Sequence, residues 1–268
     1  MISNPTDRLR HWDTYVAIGD STTEGLWDVR ADGSLGGWAD RLAAKLSARR
    51  AVIAMPPLNY ANLAVRGRTM EPILREQLPH AVSLGADLIS ITAGGNDIVR
   101  PRVNVNRLAR QMEEAVRQLR QHNIDVLLVT SSDPSGSPLI ELTRSRVSAF
   151  NASLWSIAQR YECGVVDQWG LKPLQTWNAW ADDRFHLTAR GHEIVANAAL
   201  VGLGLAPDDP HYADVPDEWR RALAGPPPSH WRWIKEHVAP WVARHARGLS
   251  SGTGRVAKRP VPTPTNSP

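Results

Sequence analysis

The sequence predicts an α/β fold, a three-layer sandwich in which helices cover both faces of a parallel central sheet. Three observations carry that prediction. Short apolar runs alternate with longer helical patterns; one run, 124–129, has the apolar character of a strand buried on both faces; and no internal repeat divides the 268 residues. Parallel neighbours cannot be joined by tight hairpins, and the intervening helices provide the crossovers they need.

The elements follow in order. Residues 14–19, Thr-Tyr-Val-Ala-Ile-Gly, read as a buried strand that ends at a glycine. A helix over 38–48 places Leu42 and Leu46 four apart, with Trp38 one turn earlier on the same face. A second strand is expected over 58–63. Pro72, tolerated in a first turn, opens a helix that directs Ile73, Leu74 and Leu78 inward. Residues 87–92 form a third strand, closed by Gly94 and Gly95. A helix over 105–119 carries Leu108, Met112, Val116 and Leu119 on one face, and 124–129 is as apolar as a central parallel strand should be. A long helix over 139–161, a short strand at Val165 and Val166, and a last helix capped by Thr188 and reaching about Leu203 complete a domain over 1–206.

Residues 207–268 read as a basic Trp/Pro-rich C-terminal extension. Proline and acidic residues make 207–228 a linker or a wrapping loop, and from Gly248 onward the composition is that of a disordered tail. Between them Trp231, Ile234, Val238 and Trp241 are spaced to share one helical face. Docking of that face on the α/β body is the favoured reading. A basic amphipathic element for an anionic lipid surface is the alternative, and Pro240 weakens it.

Composition narrows the function classes. No stretch approaches the roughly 20 apolar residues that span a membrane. The polar first residues lack an apolar signal core, so a cytoplasmic location is expected. Cys163 is the single cysteine, which rules out an internal disulfide and a Cys-rich zinc site. From Arg221 onward there are eight Lys/Arg and one Glu, so the net charge of +4 leaves the first 220 residues at −3. The high pI therefore belongs to the extension, and no nucleic-acid partner is expected. There is no H-E-x-x-H helix, no G-x-S-x-G elbow and no G-x-x-x-x-G-K-[ST] loop.

Ligands of an open parallel sheet bind beyond the carboxyl ends of its strands. After the first strand comes Gly19-Asp20-Ser21-Thr22-Thr23-Glu24-Gly25, where a tight turn projects a hydroxyl. After the third comes Gly94-Gly95-Asn96-Asp97, where glycines admit a substrate and Asn96 offers an amide donor. Late in the domain lies Asp183-Arg184-Phe185-His186. Serine is a weak nucleophile that needs a base, and a base histidine needs a carboxylate to fix its tautomer. Asp182 is the rival carboxylate, and spacing favours Asp183. His192, inside the last helix, reads as a packing or surface histidine.

These residues resemble the four sequence blocks of the SGNH/GDSL hydrolase family, in order, over about residues 13–203. Gly19-Asp20-Ser21 with Gly25 is similar to the nucleophile block, and Asn62-Leu63-Ala64-Val65-Arg66-Gly67 to the second. Gly94 to Asp97 is similar to the third, and Asp183-x-x-His186 to the last. Thr22 stands where the name-giving motif has leucine. The resemblance implies a flavodoxin-like SGNH fold with Ser21, Asp183 and His186 as catalytic triad. It implies an oxyanion hole from the N–H groups of Ser21 and Gly67 and the amide of Asn96, each donor worth roughly 3 kcal/mol in the transition state.

The expected activity is hydrolysis of an acyl ester of a small molecule, sugar or lipid through an acyl-serine, with no cofactor and no metal. Acyl transfer to an alcohol by the same residues is an alternative, as is an idle binding protein. Trp27, Trp169, Trp177 and Trp180 are candidates for pocket walls or for core. Oligomeric state is not legible.

Overall fold

The computed structural model describes residues 9, 11–134, 141–222, 235, 236 and 251–265. In chain order the elements are β1 (Thr14–Ile18), α1 (Ser21–Glu24), α2 (Trp38–Val52), β2 (Asn59–Asn62), α3 (Met70–Pro72), a π-helical turn (Ile73–Gln77), α4 (Leu78–Ser83) and β3 (Leu88–Ile91). There follow α5 (Gly95–Ile98), α6 (Val105–Gln121), β4 (Asp125–Val129), α7 (Arg144–Tyr161), β5 (Gly164–Val166), α8 (Ala189–Gly202), α9 (Asp217–Ala222) and β6 (Arg259–Pro264).

The sheet runs β5-β4-β3-β1-β2-β6. Its first five strands are parallel, and β6 pairs antiparallel with β2. Side chains alternate between two cores, as the two-residue strand period requires. Tyr15, Ala17, Leu88, Leu127 and Val129 face α2 and α8; Val16, Ile18, Ile89, Ile91, Val126 and Leu128 face the 70–83 segment, α6 and α7. This is the expected three-layer α/β sandwich. The order reverses between β1 and β3, and ligands of such sheets bind beyond the carboxyl ends of the strands at that point.

The end of the extension departs from expectation, and the segment before it follows the second of its two readings, a wrapping loop. Trp219 of α9 is buried in the core cluster beside α8, so the chain up to 222 wraps the body and is no mere linker. The end read as a disordered tail forms β6. Its composition misled because proline falls at every second position, 260, 262 and 264, which is the spacing an edge strand tolerates. The apolar stripe from Trp231 to Trp241 lies outside the described residues, as do 135–140 at the start of the expected long helix, which is helical from Arg144. Among the described residues no helix is long and apolar enough to cross a membrane.

Candidate active site

The carboxyl ends of β1, β2 and β3 carry the first three of the blocks singled out above. β1 ends in Gly19, whose backbone is gripped at both ends by one side chain. Its N–H donates to Gln77 Oε1 at 2.7 Å, and its carbonyl accepts from Gln77 Nε2 at 3.0 Å. No side chain larger than hydrogen fits at Gly19, since a Cβ would stand 2.8 Å from the Thr92 carbonyl oxygen. Asp20 then caps α1, accepting from the Thr22 N–H at 3.1 Å. Ser21 is the first residue of that helix, partly exposed, so its N–H has no acceptor within the helix. Gly25 closes the turn at φ 86, a left-handed conformation suited to glycine, and donates to Ser21 O at 3.1 Å.

The second block is tied to the first by charge. Glu24, nearly buried, accepts from the Arg66 side chain through Nε at 3.0 Å and Nη2 at 2.5 Å, and from the Arg66 backbone N–H at 2.7 Å. Asn62 adds a bond from Nδ2 to Thr23 O at 2.8 Å. Together they hold the turn at Gly67, which has φ 71.

Asn96, the second residue of α5, lies between these blocks. Its Nδ2 donates to Asp20 Oδ2 at 3.1 Å and to the Arg68 carbonyl at 3.0 Å. Both partners are acceptors, which fixes the amide's orientation. Asp97 turns away to accept from the Met70 N–H at 2.8 Å. Burial pushes the Asp20 carboxyl up to about 6, against the lowering effect of the Thr22 N–H and of His186. The last block thus acts electrostatically on the residue next to Ser21.

Asp183 and His186 sit on a tight loop closed by the Trp180–Leu187 bridge. His186 Nδ1 lies 2.6 Å from Asp183 Oδ2, while Asp183 Oδ1 accepts from the N–H groups of Phe185 at 3.0 Å and His186 at 3.1 Å. Arg184, at φ 58, turns the chain so that the carboxylate can double back. Burial raises the Asp183 carboxyl, but the imidazole and the two N–H groups outweigh it and hold it below the ordinary carboxylate range. A carboxylate on Nδ1 leaves Nε2 as the basic nitrogen. Side-chain exposure is 19% for His186 and 11% for Asp183, so the ring remains reachable. Asp182 is exposed, and the pairing falls to Asp183.

Ser21 and His186 share no hydrogen bond in this structure, and Asn96 spends its amide on Asp20 and Arg68. Catalytic hydrogen bonds are commonly longer before substrate binds than after. His192 is fully buried, accepting from the Trp38 N–H at 3.2 Å. Trp180 is packed against the core through its Nε1 bond to Leu174 O at 2.8 Å; Trp169 and Trp177 lie under Arg144 and Arg184, and Trp27 is 46% exposed. Sequence reasoning missed Gln77, Glu24 and Arg66 as site supports, because their partners are far along the chain. Among the described residues no group of three or more His, Cys, Asp or Glu could hold a metal ion.

A family model described as GDSL-like Lipase/Acylhydrolase matches residues 17–194. No curated protein matches the chain in sequence. Among solved structures, one similar fold is that of LAE5, an alpha/beta hydrolase enzyme from the metagenome of Lake Arreo, Spain. It is 23% identical with a TM-score of 0.60, over 72% of this chain and 95% of that one. A variant of Axe2, an acetyl xylan esterase from Geobacillus stearothermophilus, is 21% identical with a TM-score of 0.61, over 74% and 97%. TesA is 20% identical with a TM-score of 0.55, over 71% and 97%.

Proposed function

From the premise that the chain belongs to the GDSL-like lipase/acylhydrolase family and is a carboxylic ester hydrolase, we propose that it works by a serine mechanism centred on Ser21. Ser21 Oγ attacks the acyl carbonyl of a small-molecule ester, and His186 Nε2 takes its proton. The acyl–oxygen bond then breaks, His186 returns the proton to the departing alcohol, and water repeats the sequence to release the acid. Asp183 holds the imidazole in the required tautomer and stabilises its charged form. The oxyanion is met by the N–H groups of Ser21 and Gly67 and by Asn96, whose amide exchanges one of its present acceptors for the substrate oxygen. The observation that carries this reading is the Asp183–His186 pair, with its carboxylate anchored by two N–H groups and its ring felt by Asp20, the neighbour of Ser21.

The test is hydrolysis of nitrophenyl esters of increasing acyl length by wild type, Ser21→Ala and Asn96→Ala. Ser21→Ala is expected to lose about 10⁴-fold or more in kcat, and Asn96→Ala about 10²-fold. Retained turnover in Ser21→Ala would sink the mechanism. The length profile of the wild type assigns the acyl group.

A further inference from the structure

Residues 251–265 lie against both loops that frame Ser21. At the far end of β6, the Thr265 N–H and Oγ1 donate to Leu58 O at 2.8 and 2.9 Å, and Ser47 Oγ donates to the Thr265 carbonyl at 3.1 Å. At the near end Lys258 sends its ammonium inward, with the side chain 17% exposed. It donates to the carbonyls of Leu35, at 3.2 Å, and Gly36, and pairs with Asp40 at 2.7 Å. The Gly36 carbonyl presses on Gly25, where a Cβ would overlap it. The ammonium therefore backs the glycine contact that closes the Ser21 turn.

Gly252 is buried against the second loop. A Cβ built on it would overlap the Arg66 carbonyl oxygen and stand 2.9 Å from Val65 Cγ1. The Arg66 carbonyl and the Gly67 N–H belong to one planar trans peptide and point in opposite directions. Backbone packed behind the oxygen therefore sets where the N–H aims. The preceding N–H, that of Arg66, is held by Glu24, so both planes of the turn are fixed.

We propose that the C-terminal segment braces the oxyanion site, with Gly252 and Lys258 as positioning residues. Gly252 fixes the peptide that carries the Gly67 N–H, and Lys258 fixes the glycine contact behind Ser21. The brace rests on the serine mechanism proposed above, and neither residue touches substrate.

Two variants test it. Gly252→Ala adds one methyl group at a backbone conformation open to any residue. The double variant Asp40→Asn/Lys258→Met removes the ion pair without stranding either charge. Turnover of a nitrophenyl ester is expressed per active site, with sites counted by a fluorophosphonate that labels Ser21, so loss of folded protein does not enter. In each variant kcat per site is expected to fall about tenfold with KM little changed, since a mis-aimed donor is felt in the transition state. A segment that only stabilised the fold would lower the melting temperature and leave kcat per site alone. A kcat per site within about threefold of wild type in Gly252→Ala overturns the brace, the allowance being half a tenfold step on the free-energy scale. If that variant does not fold, the double variant decides by the same criterion. A wild type that neither hydrolyses esters nor is labelled would overturn the serine mechanism, and the brace with it.

Discussion

Gln77 illustrates how one side chain sets the position of another far along the chain. Its amide pairs with both polar groups of Gly19, two residues before Ser21, in a buried setting. The Gly19 carbonyl also accepts from the Val65 N–H at 3.2 Å, whereas Gln77 is the acceptor for the Gly19 N–H. Gln77→Leu therefore strands a buried donor, at a cost of about 1–3 kcal/mol. At a pH low enough for its carboxyl to stay protonated, and so to donate to the Gly19 carbonyl as the amide does, Gln77→Glu keeps both bonds and is expected to cost less. Urea denaturation of the two variants checks this; equal losses would mean that the stranded N–H is not the cause. The candidate residues Ser21, Asn96, Asp183 and His186 were legible because each occupies a short block whose proposed chemistry needs those residue types. Gln77 was not, since it sits in a π-helical turn that looks, in sequence, like any stretch of amphipathic helix. Glu24 and Arg66 were hidden for the same reason: each reads as a solvated charge until the fold puts them 2.5 Å apart.

At the scale of elements, the five parallel strands were legible because each sits in a short run bounded by turn residues, four of them mainly apolar and β2, Asn-Tyr-Ala-Asn, the exception, while β6 was not. Arg-Pro-Val-Pro-Thr-Pro has the composition of an unstructured tail, and only its alternation marks a strand. In an antiparallel pair, N–H groups point alternately toward and away from the neighbour. Thr265 donates toward β2, so by parity Thr263, opposite Tyr60, does too, while Pro264, opposite Asn59, faces outward; the register shifts beyond Tyr60, before Arg259 pairs with Asn62. Pro264 thus removes a donor from the exposed edge, which discourages pairing with another chain. Parity makes this testable. Thr263→Pro removes an inward donor and is expected to cost about 2–4 kcal/mol, whereas Pro264→Ala changes stability by less than about 1 kcal/mol. Thermal melting of both separates the cases, and equal effects would mean that the ladder is not set by this alternation.

For the molecule as a whole, two buried groups pull its stability in opposite directions over the same pH range. His192 joins α8 to the Trp38 N–H of α2, and burial lowers its pKa from 6.5 to about 4. Between those values the unfolded chain holds a proton that the folded one refuses, so acidification destabilises, by roughly 3 kcal/mol over the window. Asp20 has the reverse sign. Burial raises it from 3.8 to about 6, so in that interval the folded chain holds the extra proton and acidification stabilises. Asp183, held below the ordinary range, withdraws its contribution only as the pH falls below about 3.8. The two opposing terms nearly cancel in the wild type between pH 6 and 4. Asp20→Asn removes one of them, so its stability relative to wild type should fall steadily as pH drops from 6 to 4. His192→Gln removes the other, and its stability relative to wild type should rise from pH 6.5 to 4. Denaturant titrations at half-unit steps of pH give both differences directly. Parallel curves for all three proteins would show that neither group changes its proton affinity on folding. Divergence with these signs would tie the acid response of the whole domain to one residue in the candidate site and one in the scaffold behind it.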